Sequence, residues 1–147
     1  METKASYVLV SHDLSVVRYI ADRIVVMYLG RVVDEGSAES FDHLPLHPYT
    51  EALLSAVPTL GGSGDHRIRL ERQASESDKA VAGCVFAARC PRVIDGLCHD
   101  LAPGWQQMED RRYLCHHGPE TLAALQDADR LKASNLATAH AGVTHAD

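Results

Sequence analysis

The chain has 147 residues, 46% of them hydrophobic, and its 20 acidic against 14 basic side chains give a formal net charge of −6 at neutral pH. This length accommodates one domain with an appendage and excludes a multidomain enzyme within the chain. The acidic balance argues against nucleic acid as a partner, because neutralising phosphates requires an excess of Lys and Arg on one face.

The sequence also lacks the pattern of a membrane-spanning protein. No stretch approaches the roughly 18 to 20 uninterrupted apolar residues that a span requires, so we expect a soluble or peripheral protein without a transmembrane segment. The first four residues lack the apolar core of a signal peptide, which predicts a cytoplasmic location. In that reducing setting, a group of cysteines favours a metal site over disulfides.

The first predicted elements are a strand and a helix. Residues 6–10 form a short apolar run typical of a strand buried on both faces in a parallel sheet. From Leu14 the apolar residues recur every three or four positions, which predicts a helix with Asp13 as its N-cap. His12 therefore lies at the edge where open α/β sheets bind ligands, and its imidazole could contact a phosphate or orient a water. The plainer alternative is that His12 satisfies a loop carbonyl and Asp13 only caps the helix.

A hairpin and two helices are expected next. Residues 24–29 and 32–36 are apolar, β-prone runs separated by Gly30, which suits a tight turn between two antiparallel strands. A short helix is expected near residues 38–42, and a second from Pro48 to about residue 56.

Four cysteines follow a glycine-rich, polar stretch that is typical of a linker. Cys84, Cys90, Cys98 and Cys115 are separated by five, seven and sixteen residues, and Pro91 follows Cys90. Four thiolates can bind zinc or hold an iron–sulfur cluster. The sequence has no Cys-x2-Cys pair of the kind common in zinc sites, and a Cys-Pro pair occurs in iron–sulfur loops, so the cluster is favoured over zinc. Structural buried cysteines, a disulfide pair or incidental thiols remain alternatives.

The rest of the cysteine segment gives weaker signals. Only short helical turns are expected between Cys84 and Cys115, and a segment with so few large apolar residues requires a cross-link. The adjacent histidines could replace a ligand, but solvent-exposed positions beside the ligands are favoured; they are His99, His116 and His117. A helix is predicted from about residue 119 to 133, followed by a frayed tail.

Three stretches together resemble a known family. Residues 7–31, with the run Ser-His-Asp-Leu-Ser, look like the switch-histidine region of an ABC transporter ATP-binding subunit. Residues 45–58, with Leu-His-Pro-Tyr-Thr, and residues 83–91, with Gly-Cys-Val-Phe and Arg-Cys-Pro, resemble the oligopeptide/dipeptide importer branch, which includes nickel importers. The resemblance covers about residues 5–118.

This resemblance implies a fold and a set of site residues. It implies an α/β fold in which residues 1–58 are the C-terminal part of an ABC-type nucleotide-binding domain. Residues 59–118 would be a linker and a loop-rich four-cysteine extension, and residues 119–147 an Ala-rich helix with a disordered tail. His12 would be the switch histidine that contacts the γ-phosphate, and Asp13 would contact the opposing subunit. The four cysteines match positions associated in the family with a 4Fe–4S cluster.

The resemblance also implies what the chain does and what it lacks. In the family the complete subunit couples ATP hydrolysis, with Mg²⁺, to uptake of oligopeptides, dipeptides or nickel. The phosphate-binding loop, signature motif and catalytic carboxylates of that family lie upstream of the stretch at Tyr7. This chain also contains no Gly-Lys-Ser/Thr phosphate loop of its own. We therefore expect a C-terminal fragment that neither hydrolyses ATP nor binds it tightly alone, because phosphoryl transfer depends on phosphate-cradling amides, Lys and Mg²⁺.

The expected partners follow from the same family. They are permease subunits and a second ATP-binding subunit at the inner face of the membrane. A homo-oligomer through an exposed sheet edge is also expected, since uncovered strands pair readily. The alternative function is an autonomous iron–sulfur or zinc-binding structural module.

Overall fold

The structure is a computed structural model that describes residues 5–56, 68–70 and 82–141. Its elements in chain order are α1 (Leu14–Ile20), β1 (Arg23–Tyr28), β2 (Arg31–Ser37), a 3-10 helix (Glu39–Asp42), α2 (Pro48–Ser55), a second 3-10 helix (Ala87–Arg89), β3 (Trp105–Gln107), β4 (Arg111–Leu114) and α3 (Pro119–Ala141). The four strands form one antiparallel sheet in the order β1-β2-β4-β3. The chain is therefore α/β, as predicted, although its described sheet is antiparallel rather than parallel.

The β1–β2 hairpin confirms the prediction made from the two apolar runs. Alternate β1 residues are buried and the intervening ones are exposed, which is the period of two that a strand with one covered face requires. The turn places Leu29 at φ 48° and Gly30 at φ 82°. Two successive positive φ angles are typical of the tight turns that match the twist of a hairpin, which explains the glycine.

The sheet is completed by two strands from the cysteine segment. β4 pairs antiparallel with β2, with Asp34 opposite Tyr113 and Gly36 opposite Arg111. A Cβ on Gly36 would lie 2.7 Å from Arg111 Cγ, so glycine permits this close approach. The expectation of only short helical turns between Cys84 and Cys115 is wrong here, because the strands are stabilised by a partner far away in sequence.

The predicted strand at residues 6–10 is not formed. Residues 5–10 have no regular secondary structure, and Tyr7 and Val8 are 90% and 94% exposed. Strand character in the sequence is not sufficient, because a strand requires a hydrogen-bonded neighbour, and no described strand pairs with this stretch. The adjoining helix α1 does form, and it begins directly after Asp13 as predicted.

The main hydrophobic core lies between the hairpin, the α2 region and the start of the cysteine segment. Its buried members are Leu14, Ile24, Val26, Tyr28, Val33, Phe41, Leu46, Val85 and Phe86. Phe86 meets the ring of Tyr28 edge-on at 5.1 Å between centroids and lies 5.4 Å from that of Tyr49. The residues beside Cys84 are thus part of the same core as the hairpin.

The remaining helices match their predictions in position but not in detail. α2 starts at Pro48 as expected, and the short helix before it is a 3-10 helix. α3 begins at Pro119 as expected and extends to Ala141, beyond the predicted end. The prediction of a frayed tail after residue 133 is wrong for residues 134–141, which belong to α3, while residues 142–147 and most of the predicted linker lie outside the described residues. None of the described helices has the length and apolar character needed to cross a membrane.

Candidate metal centre and N-terminal histidine

The four cysteines are brought into one region by the turns around β3 and β4. Cys84 and Cys90 flank the 3-10 helix Ala87–Arg89, Cys98 lies in the following turns, and Cys115 follows β4 directly. The backbone N–H of Cys84 donates to the carbonyl of Cys98 at 2.8 Å. All four thiols are free, so no disulfide accounts for their grouping.

A glycine makes this grouping possible. A Cβ on Gly83 would lie 2.3 Å from the carbonyl oxygen of Cys98, which no side chain could occupy. The Gly-Cys pair in the sequence therefore reflects a close approach of two backbone segments.

Two of the four sulfurs accept a backbone hydrogen bond. The N–H of Arg92 lies 3.4 Å from Cys90 Sγ, and that of Ile94 lies 3.3 Å from Cys98 Sγ. The backbone amides of Phe86 and Ala87 oppose the rise in the pKa of Cys84, and those of His117 and His116 oppose the rise in the pKa of Cys115. Such bonds stabilise negative charge on sulfur and are among the contacts that tune thiolate-held clusters.

The electrostatics show that the sulfurs share one environment. Burial raises the pKa of Cys90 to about 12 and that of Cys115 to about 11, and burial also raises the pKa of Cys84. The charges of the neighbouring cysteines add to each of these increases. Every pair among the four cysteines interacts in this way. A cation held between them would offset that repulsion.

The four sulfurs are nevertheless not drawn around one point. Within the described parts of the chain, no three His, Cys, Asp or Glu side chains are gathered closely enough to hold a single metal ion. The donor set is four free thiols that interact electrostatically with one another.

Two neighbouring histidines bind backbone rather than converging with the thiols. His116 Nε2 lies 2.9 Å from the carbonyl oxygen of Leu101, and His117 Nε2 lies 2.9 Å from that of Arg92. A ring nitrogen facing a carbonyl must carry the proton, so both rings act as donors there. The assignment of these histidines as neighbours of metal ligands stays a prediction.

His12 lies apart from the cysteines, at the start of α1. Its side chain is exposed, and among the described residues no carbonyl accepts a hydrogen bond from its ring. Asp13 caps α1, because its carboxylate accepts from the N–H of Ser15 at 3.0 Å and of Val16 at 3.3 Å. The hydrogen bond from the Ser15 side chain leads the contacts that lower the pKa of Asp13, and the charge of His12 adds to it. The imidazole is therefore accessible, directly before a capped helix.

A buried polar cluster that the sequence did not indicate fastens α2 to the sheet. Asp34 Oδ2 accepts from the N–H of His47 at 3.1 Å and from Thr50 Oγ1 at 2.9 Å. His47 Nδ1 accepts from the N–H of Tyr49, so this histidine is the N-cap of α2. Burial lowers the pKa of His47 to about 3, which keeps the ring neutral. The Leu-His-Pro-Tyr-Thr run thus has a structural role in this chain.

Arg111 is the buried cation of that cluster, and its pairing with Asp34 is incomplete. Its Nε lies 3.6 Å from Asp34 Oδ1, and neither atom has a hydrogen-bond partner although both are buried. Burial raises the pKa of Asp34 to about 6, against the opposing charge of Arg111. The protein around this ion pair therefore does not supply all the hydrogen bonds that its two charged groups lose when they leave water.

A second buried polar residue, also not indicated by the sequence, holds α3. Gln126 Oε1 accepts from the N–H of Leu46 at 2.9 Å, and its Nε2 donates to the carbonyl of Leu46 at 2.7 Å and to Glu51 Oε2 at 3.0 Å. The side chain satisfies both backbone groups of Leu46 and so docks α3 beside α2.

Comparison with known proteins gives consistent matches. Residues 33–98 match the oligopeptide/dipeptide transporter C-terminal region. The di/tripeptide transport ATP-binding protein DppF of Pseudomonas aeruginosa is 38% identical over 120 residues, which is 81% of this chain and 37% of that protein. The dipeptide transport ATP-binding protein DppF of Escherichia coli is 47% identical over 69% of this chain and 30% of its own length. The oligopeptide transport ATP-binding protein AppF of Bacillus subtilis is 40% identical over 79% and 36%. The chain spans about a third of the length of these relatives.

Proposed function

Residues 33–98 of this chain belong to the oligopeptide/dipeptide transporter C-terminal family, as part of an ATP-binding subunit of a peptide ABC importer, and we propose that the complete subunit couples ATP hydrolysis to uptake of short peptides. The observation that carries this proposal is the agreement of the relatives, which are named as dipeptide, di/tripeptide or oligopeptide transport ATP-binding proteins. Short peptides are therefore the proposed substrate class.

The proposed location and partners follow from that role. The subunit would lie at the cytoplasmic face of the membrane, bound to permease subunits and to a second ATP-binding subunit. The exposed apolar residues before α1 support a partner surface there, since Tyr7, Val8 and Val10 are almost fully accessible. Large exposed apolar patches are typical of surfaces that another polypeptide covers.

His12 would contact the terminal phosphate of ATP in the complete subunit. Its exposed imidazole lies directly before α1, and Asp13 beside it is engaged as the helix cap. A histidine at such a junction can donate a hydrogen bond to a phosphate oxygen or orient the attacking water. The phosphate loop and the Mg²⁺ ligands would come from the part of the subunit that this sequence does not include, so this chain alone would not hydrolyse ATP.

A chimera tests this function directly. The region of the E. coli dipeptide transport protein that aligns with this chain is replaced by it, and dipeptide uptake and ATP hydrolysis are measured in cells and membranes. We expect transport to be restored, and His12→Ala to reduce hydrolysis at least about a hundredfold with nucleotide binding retained. The matched control is His43→Ala, whose exposed ring lies outside the α1 junction and should leave both activities intact. Full turnover with His12→Ala would contradict the role of His12, and an inactive parent chimera would contradict the function.

The four cysteines would hold a 4Fe–4S cluster. Four free thiols that interact electrostatically with one another, with no Cys-x2-Cys pair among them, suit a cubane better than zinc. When bound, such a cluster supplies four iron–thiolate bonds. The ligands would be Cys84, Cys90, Cys98 and Cys115, which would tie both ends of the segment to the chain beyond β4. That stabilisation suits a segment with few large apolar side chains.

The comparisons do not support an autonomous metal-binding module, and the packing supports a single body. Phe86 is completely buried among aromatic rings from β1 and α2, and β4 pairs with β2. The cysteine segment is therefore built onto the core rather than beside it.

A further inference from the structure

One side chain of the cysteine segment reaches out of the candidate metal centre and fastens two helices. The guanidinium of Arg92 binds Glu51 of α2 through both nitrogens of its fork, with Nη2 2.8 Å from Oε1 and Nε 3.2 Å from Oε2. The two side chains are 6% and 5% exposed, so the pair is buried. Its third nitrogen, Nη1, lies 2.9 Å from Asp129 Oδ2 on α3.

The backbone of the same residue touches two parts of the four-cysteine site. The N–H of Arg92 donates to Cys90 Sγ at 3.4 Å, and its carbonyl oxygen accepts from His117 Nε2 at 2.9 Å. His117 in turn lies two residues after Cys115 in the chain. A displacement of the Arg92 backbone would therefore disturb the surroundings of two of the four sulfurs.

The acidic partner of Arg92 on α2 is itself held by a further hydrogen bond. Glu51 Oε2 also accepts from Gln126, the residue that docks α3 on Leu46. Hydrogen bonds and charge from Glu51 and Asp129 outweigh burial and raise the pKa of Arg92, so the guanidinium stays charged. A planar fork held bidentately loses little freedom on binding, and lysine cannot reproduce that geometry.

We propose that Arg92 is a positioning residue of the four-cysteine site, which couples the docking of α3 to how firmly the thiols hold their metal. This inference rests on the proposed cluster, but it concerns residues that are not themselves ligands. Removing the guanidinium frees the backbone that donates to Cys90 and leaves Glu51 buried without its cation. Outer contacts of this kind change metal affinity by about ten- to a hundredfold in other sites.

The experiment uses the full chain, purified without oxygen in its metal-loaded form. Arg92→Gln is compared with Arg112→Gln, whose exposed guanidinium binds Glu35 and the ring of Trp105 away from the thiols. The rate of iron transfer to a chelator and the visible absorption spectrum are recorded for each protein. We expect iron to leave Arg92→Gln at least about tenfold faster than the parent, with an altered spectrum, and Arg92→Lys to recover only part of the difference. Arg112→Gln should match the parent.

Asp129→Asn provides a second variant that keeps the arginine. Asp129 lies on α3, and its side chain is 44% exposed, so the substitution should leave the urea midpoint almost unchanged. We expect iron loss about two- to fivefold faster, and faster hydrogen exchange at the α3 amides around Gln126. A parent chain that binds no iron would contradict the proposed cluster and this inference together. A loaded parent whose Arg92→Gln or Asp129→Asn variant releases iron no faster than Arg112→Gln would overturn the positioning role alone.

Discussion

Residues 5–13 and residues 82–118 have opposite relations between sequence and structure. The first stretch contains a short β-prone apolar run, yet its apolar side chains are exposed and it forms no strand. The second contains few large apolar residues, yet it forms two strands, joins the sheet and has Phe86 completely buried. Apolar composition alone therefore does not produce order; a partner surface must be available to bury it.

The two regions also differ in what holds them in place. The cysteine segment is fixed by contacts with distant residues, such as the pairing of β4 with β2 and the Arg92–Glu51 ion pair. The stretch before α1 makes only local bonds, such as that from the N–H of Asp13 to Ser11 Oγ. The consequence is that substitutions of similar size should have very different effects in the two regions.

Truncating the aromatic anchor should have the largest effect. Phe86→Ala removes a fully buried ring from between Tyr28 and Tyr49, and we expect the free energy of unfolding of the metal-free chain to fall by about 4 kcal/mol. Tyr7→Ala, in the exposed stretch, should change it by less than about 0.5 kcal/mol. Urea unfolding followed by circular dichroism measures both. Equal losses in the two variants would break the contrast between the regions.

The sheet that the cysteine segment joins contains a buried carboxylate, Asp34 on β2, whose effect on stability depends on pH. The pKa of Asp34 is about 6 in the folded chain and 3.8 in the ordinary state, so the folded protein holds that proton more tightly. Protonation of Asp34 therefore adds to the free energy of unfolding in full below pH about 4. This contribution is lost as the pH rises through 6. The unfolding free energy of the parent minus that of Asp34→Asn should fall by on the order of 3 kcal/mol between these limits.

The control for this prediction is Asp95→Asn, whose exposed side chain lies outside the buried cluster. Urea unfolding over the same pH range should show parallel curves for this variant and the parent. A parent that gains stability relative to Asp34→Asn as pH rises would contradict the account of Asp34.

Loss of the buried amide on α3 should have a smaller effect. Gln126→Ala leaves the N–H and carbonyl of Leu46 without partners, which costs roughly 1 to 3 kcal/mol. Gln107→Ala is the matched change in an exposed glutamine and should be almost neutral. Hydrogen exchange localises the effect, because the Leu46 amide should lose protection only in the first variant. Unchanged protection at Leu46 would show that the amide does not dock α3.

The exposed stretch before α1 should cause copies of the chain to associate. Its uncovered apolar side chains favour pairing between copies of the chain, and Val8→Lys should weaken dimerisation roughly tenfold, or about 1.4 kcal/mol. Sedimentation velocity over a range of concentrations measures the change. A parent chain that stays monomeric throughout that range would contradict this expectation.

Local patterns predicted the elements that depend on neighbours in sequence. The period of two and Gly30 indicated the β1–β2 hairpin, and Asp13 and Pro48 marked the starts of α1 and α2. The grouping of the cysteines was predicted from their number and spacing, and the structure brings them within electrostatic reach of one another. Their cofactor stays a prediction, as does the phosphate contact of His12.

The elements that could not be predicted depend on contacts between distant residues. β3 and β4 are three and four residues long, and their order comes from β2, which precedes them by more than 60 residues. Gln126 and Leu46 are 80 residues apart, and neither residue type indicates burial of a polar amide. The strand predicted at residues 6–10 is absent for a related reason. The sequence shows strand propensity, but it does not show whether a partner strand is present.

Metal analysis of the full chain tests most directly whether the four cysteines form one site for the proposed 4Fe–4S cluster. Protein purified without oxygen is analysed for iron, acid-labile sulfide and zinc, together with visible absorption, for the parent and for Cys98→Ala. The account predicts roughly four iron and four sulfide atoms per chain in the parent and loss of both in the variant. Folded protein with one zinc and no iron, or with no metal at all, would contradict it.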